Sequence, residues 1–161
     1  MTDSPKAFFT LPEQQGITRA IREAESQTSG EIRIHLENYC HGEVLDRAAA
    51  VFRFLKMHRT QLRNGVLFYL SVCDRKFAIL GDIGINQVVP PNFWDEIKTG
   101  MQLRFREGKF SEGLSEGILR AGEALKKHFP RQKTDVNELP DELSFGGTQD
   151  EERKRKMSDK G

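Results

Sequence analysis

Residues 63–84 read RNGVLFYLSVCDRKFAILGDIG, and the reading of this stretch decides the fold. Val66 to Val72 is apolar at nearly every position, the pattern of a central strand covered on both faces rather than a half-solvated one. Cys73-Asp74-Arg75-Lys76 is short and polar, and Phe77-Ala78-Ile79-Leu80 follows. Two apolar runs separated by so few polar residues predict a β-hairpin. Arg63-Asn64-Gly65 supplies turn chemistry at the entrance. Gly81-Asp82-Ile83-Gly84 closes the hairpin with a glycine-bracketed loop, read as a turn that needs positive φ.

Toward the amino terminus, Glu31 to Glu37 alternates, with Ile32, Ile34 and Leu36 on one side and Arg33, His35 and Glu37 on the other. That pattern predicts a strand with one solvated face near a sheet edge. Before it, Thr10-Leu11-Pro12-Glu13 is a helix start: Thr10 as N-cap, Glu13 completing a capping box, and Pro12 in the first turn where its missing N–H costs nothing. Ile17, Ala20, Ile21 and Ala24 continue at helical spacing until Thr28-Ser29-Gly30. A second helix is expected over 43–57, with Leu45, Ala48, Ala49, Phe52 and Leu55 as its apolar stripe.

Toward the carboxyl terminus, Pro90, Pro91 and Asn92 open a third helix, with Asn92 as N-cap and Phe93, Ile97, Met101 and Phe105 facing the core. Gly108 breaks it. A fourth helix carries Phe110, Leu114, Ile118, Ala121, Leu125 and Phe129, and its Gly113, Gly117 and Gly122 mark places where another element approaches closely. The order is αβαββαα, which favours a three-layer αβα sandwich around a small mixed sheet flanked by about four helices. Residues 1–130 make the domain. Residues 131–161 form a polar tail, expected to be partly or wholly disordered; Val136 to Pro140 can dock as a short strap, and Glu151 to Gly161 should be unstructured.

The chain has 161 residues, 37% hydrophobic and 30% charged, enough for one domain plus tails. Lys+Arg number 25 against 24 Asp+Glu, a net charge of +1, so the strong basic field of a nucleic-acid binder is missing. No apolar run is long enough for a membrane span. The opening MTDSPKAFFTLPEQQ has no basic region followed by an apolar one, which predicts a cytoplasmic protein; a monomer is expected. Cys40 and Cys73 read as reduced thiols, and a zinc site from Cys40, His41, His58 and Cys73 has no CxxC or HxxxH pair behind it.

The sequence holds neither a GxGxxG nor a Walker A run, and its serines form no nucleophile elbow. His35 beside Glu37 reads as a solvated pair, Trp94 as a core anchor, and Arg153 to Lys156 as a basic run cancelled by Asp150, Glu151 and Glu152. The loops at one end of the sheet are more informative. If the first two strands run parallel, their starts share an end with the finish of the third. Ser29, Glu31, Asn64, Asp82 and Asn86 then converge. Carboxylate and amide oxygens on tight loops suit a hard cation such as Ca²⁺ or Mg²⁺, and two carboxylates predict weak binding. The alternative is that Asp82 and Asn86 merely cap turns and the helix that follows.

The chain also resembles the TPM domain family, named for thylakoid acid-phosphatase-like and photosystem-repair proteins, over roughly residues 10 to 130. The resemblance rests on Ser29-Gly30-Glu31-Ile32, Arg63-Asn64-Gly65-Val66-Leu67, Arg75 with Phe77-Ala78-Ile79, Gly81-Asp82-Ile83-Gly84-Ile85-Asn86, and Phe105-Arg106-Glu107-Gly108-Lys109-Phe110 with Gly113. It is closest to the short soluble members. It implies an αβα sandwich with a Rossmann-like look and divalent-cation binding in loops at one end of the sheet. Phosphatase activity has been attributed to plant members. Where many members carry an acidic residue before the Asn-Gly-Val-Leu run and a glutamate after the second glycine, this chain has Arg63 and Asn86.

The leading expectation is therefore a small TPM-like domain that binds Ca²⁺ or Mg²⁺ weakly through Asp82, Glu31, Asn64 and Asn86. A divalent-metal-dependent acid phosphatase is the alternative, with Asp82 as metal ligand and Arg63 contacting the phosphate ester. A third reading is an interaction module whose segment 136–145 docks on a protein partner or on its own body.

Overall fold

A computed structural model describes residues 5–131 and 143–146. A 3₁₀ turn over Pro5–Phe8 leads into α1 (Leu11–Glu25), β1 (Glu31–Glu37), α2 (Val44–Phe54) and a second 3₁₀ turn (Met57–Arg59). The hairpin β2 (Gly65–Ser71) and β3 (Lys76–Gly81) follows, then α3 (Ile83–Asn86), α4 (Phe93–Arg106), α5 (Phe110–His128) and β4 (Ser144–Phe145).

The helix boundaries follow local chemistry. Thr10 caps α1 with the expected box, its Oγ1 accepting from the Glu13 amide at 3.2 Å while the Glu13 carboxylate accepts from the Thr10 amide at 2.9 Å. α2 stops three residues short of its expected end, because Lys56 takes a left-handed backbone (φ 60°) that no helix continues through. Asn92 precedes α4 as expected, but its side chain donates to the Glu96 carboxylate at 2.9 Å and makes no cap to the backbone.

The sheet runs β3-β2-β1-β4. β1 pairs parallel with β2 from Glu31↔Gly65 to Glu37↔Ser71, and β2 pairs antiparallel with β3 as the hairpin requires. β4 lies parallel to β1 at His35↔Ser144 and Leu36↔Phe145. This fourth strand comes from the stretch read as tail; the strap at Val136 to Pro140 and the segment from Glu151 to Gly161 lie outside the described residues.

Strand alternation divides the core between the two faces. Ile32, Ile34, Leu36, Val66, Phe68, Leu70, Phe77 and Ile79 pack with α1, α4 and α5. Leu67, Tyr69 and Ala78 pack on the other side with Ala48, Val51, Phe52 and Leu55 of α2 and with Met57. The result is an α/β fold with a four-stranded mixed sheet between helical layers. Glycines set the closest approaches on α5. A Cβ on Gly122 would lie 2.6 Å from that of Ala24 on α1, and one on Gly117 would lie 2.7 Å from the Met101 sulfur on α4. A Cβ on Gly113 would meet Phe105 at 2.8 Å.

The expectation of a solvated face on β1 is corrected. All seven residues are buried, including Glu31, Arg33, His35 and Glu37. Two neighbours contribute to this: Arg47 of α2 reaches Glu37 on the polar face, and β4 occupies the flank away from β2. Farther up that flank the amide of Ile32 donates to the Glu25 carboxylate at 2.7 Å, so a side chain finishes what the short β4 leaves open. Leu45, placed on the apolar stripe of α2 by spacing, is 58% exposed. Among the described residues no helix is long and apolar enough to cross a membrane.

Candidate functional site

The starts of β1 and β2 and the end of β3 do meet at one end of the sheet. Glu31 stands opposite Gly65, and the Gly65 carbonyl accepts from the Asp82 amide at 2.9 Å. Asp82 is buried and caps α3, a single turn that the glycine-loop reading overlooked; its Oδ1 accepts from the Ile83 amide at 2.8 Å. Gly84 lets this turn lie against the preceding loop: its amide donates to the Arg63 carbonyl at 2.8 Å, and a Cβ there would sit 2.1 Å from the Leu62 carbonyl oxygen. The left-handed residue in this region is Arg63 (φ 52°), with neither Gly81 nor Gly84 at positive φ.

The four proposed ligands are differently committed. Asp82 accepts a two-pronged ion pair from Arg63, Nε to Oδ2 at 2.7 Å and Nη2 to Oδ1 at 2.9 Å. The pair raises the affinity of the guanidinium for its proton. Asn86 donates to the Gly81 carbonyl at 2.8 Å, and its side-chain oxygen accepts from the Trp94 indole N–H at 2.7 Å. Asn86 thus ties α3 to β3 and α4, and Trp94, expected as a core anchor, is anchored through its polar edge as well. Asn64 is buried and donates to Ser29 Oγ at 3.3 Å. Glu31 is buried. Among the described residues no three His, Cys, Asp or Glu side chains are grouped as a metal site would need.

The opposite end of the sheet holds a polar cluster that the sequence reading took for a solvated pair. Glu37 accepts from Arg47 Nε at 3.0 Å, from a second Arg47 nitrogen, and from the Tyr69 hydroxyl at 2.5 Å. His35 Nε2 lies 3.4 Å from Glu37 Oε1, and its Nδ1 shares a 2.9 Å hydrogen bond with Ser144 Oγ of β4. Burial alone would push the Glu37 carboxyl up. The hydrogen bonds from His35, Arg47 and Tyr69 outweigh it and hold the group well below the usual carboxylate range. Burial first, and then the Glu37 charge, push the Tyr69 phenol far up. The signals available in the sequence were a tyrosine amid the most apolar strand and an arginine one turn into α2.

In the carboxyl-end cluster His35, Glu37 and Tyr69 are buried and Arg47 is partly exposed, whereas the amino-end loops leave the Arg63 side chain 41% exposed. Of these two polar clusters the amino-end one is the more open. A family model for the TPM domain matches residues 3–124. The chain belongs to the TPM domain family. Among solved structures it is similar to the BA42 protein of the psychrophilic bacterium Bizionia argentinensis, at 51% identity and a TM-score of 0.81 over 86% of this chain and 96% of that one. The N-terminal domain of a protein from P. gingivalis, at 23% identity, shares the fold with a TM-score of 0.59 over 77% of this chain and 82% of that domain. No curated protein matches this TPM chain.

Proposed function

We propose that this TPM domain binds a divalent cation, Ca²⁺ or Mg²⁺, weakly at the amino end of its sheet, and that Arg63 competes with the ion for Asp82. The observation that carries the reading is the meeting of Glu31 and Asp82 about Gly65, with the Asn64 amide beside them. Carboxylate and amide oxygens are the donors a hard cation takes. They fit such an ion in kind. In number they fall short of a tight site, because Asp82 already holds a guanidinium and the Asn86 oxygen is engaged by Trp94. The reading of Arg63 as a phosphate contact meets the same fact, since both prongs of that side chain are engaged by Asp82.

The test is a backbone amide NMR titration with Ca²⁺ and then Mg²⁺, run on the full chain and on Arg63→Gly. Glycine suits the left-handed backbone at this position, so the loop keeps its shape. Shifts concentrated at Glu31, Asn64 and Gly81 to Asn86, with affinity raised about tenfold in the variant, are expected when a competing cation is removed from a ligand. Shifts scattered over surface carboxylates, or an affinity indifferent to Arg63, overturn the reading.

A further inference from the structure

The residues of the Arg75–Ile79 and Phe105–Phe110 motifs have no part in the amino-end site. They meet at the far end of β2, where a cleft of about 220 Å³ opens between the hairpin turn, the Pro5–Phe8 turn, α4 and α5. Four aromatic rings form its wall in a continuous series. Phe8 meets Phe110 edge-on at 5.2 Å, Phe110 stacks on Phe105 at 5.3 Å, and Phe105 meets Phe77 edge-on at 5.0 Å. Phe8, Phe105 and Phe110 are only half-buried, so their faces remain available to a solute.

Arg75 and Arg106 complete the lining. Both are exposed, and neither has a hydrogen-bond or ion-pair partner among the described residues, in contrast to Arg47, Arg63 and Arg104, each of which holds a carboxylate. Lys98, outside this lining, lies 5.4 Å from the centroid of the Phe77 ring. Arg75 also holds a left-handed backbone (φ 55°), a turn position where glycine or asparagine is at ease.

We propose that this cleft binds a small amphipathic anion: one ring, or a short branched chain, carrying a carboxylate or phosphate head. The size fits, since a cavity of about 150 Å³ accepts benzene. The ring box takes the apolar body, and the two planar forks take the head group in the bidentate geometry that arginine offers to carboxylates and phosphates. The site is independent of the cation reading, being at the other end of strands seven residues long.

The experiment is an NMR titration of the full chain with phenylacetate and with phenyl phosphate, and with benzyl alcohol as the neutral ring, each in the presence of EDTA. Saturable shifts at Leu70 to Phe77, Gln102 to Arg106 and Phe110 are expected for at least one anion, with benzyl alcohol at least tenfold weaker. The preferred anion identifies the head group. Arg75→Gly, which suits the turn, and the exposed Arg106→Gln should each weaken binding about fivefold with an unchanged melting temperature. Absence of saturable shifts, equal affinity for the neutral ring, or indifference to both arginine variants overturns the proposal.

Discussion

β1 presents two faces made from the same seven residues, and both are buried by different means. Ile32, Ile34 and Leu36 fit among aliphatic and aromatic side chains of α1, α4 and α5, where only shape and apolar area matter. Arg33, His35 and Glu37 are equally hidden, but there His35 and Glu37 depend on particular partners. Glu37 is held from three elements at once, by Arg47 of α2, Tyr69 of β2 and His35 of its own strand. The lesson is that alternation reports which residues share a face and not whether water reaches it. The apolar face answers to lost volume, the polar face to a missing partner.

Three substitutions break or sharpen this contrast. The largest effect is expected on the apolar face, where Ile34→Ala should cost about 3 kcal/mol at any pH, read from urea denaturation. A loss that varied strongly with pH would mean that the two faces are not separate. On the polar face Glu37→Gln should cost about 2 kcal/mol at pH 7, less than a fully buried broken pair because Arg47 is partly exposed. Here pH matters. The folded carboxyl titrates below its unfolded value, so its stabilisation is complete above about pH 5 and is lost as pH falls through the usual carboxylate range toward the lower folded one. The difference between wild type and Glu37→Gln should therefore shrink between pH 5 and pH 3; a constant gap would contradict the role given to the charge. The smallest effect is expected at the rim. Ser144→Ala should cost about 0.5 kcal/mol globally while hydrogen exchange at the Gly146 amide, bound to the Leu36 carbonyl, speeds up markedly.

The parts legible in the sequence are those whose signal is local. The capping box of α1, the two apolar runs of the hairpin and the helical stripes of α4 and α5 depend on neighbours within a few residues. So do the close contacts of Gly113, Gly117 and Gly122, because a glycine in a stable helix needs a reason. What escaped depends on distant chain. β4 is two residues long and carries no periodicity, yet it comes from over a hundred positions away to cover the flank of β1. α3 is a single turn started by Asp82, too short to register as a helix. At the amino end, which residues gather was legible from strand order. Which of them are already engaged was not, because the reach of Arg63 to Asp82 and of Trp94 to Asn86 is set by tertiary packing.

The contact between Glu25 and Ile32 bears on how copies of this protein treat one another. A strand flank with unpaired N–H and C=O groups is a template on which a second chain can build. Along β1 that template is interrupted twice, by Ser144 and Phe145 near its finish and by the carboxylate on the Ile32 amide near its start. An incoming strand would have to displace both, and the second is a buried side chain whose oxygen already takes the amide a new strand would need. One side chain at the end of α1 thus helps keep the sheet from growing beyond its own molecule.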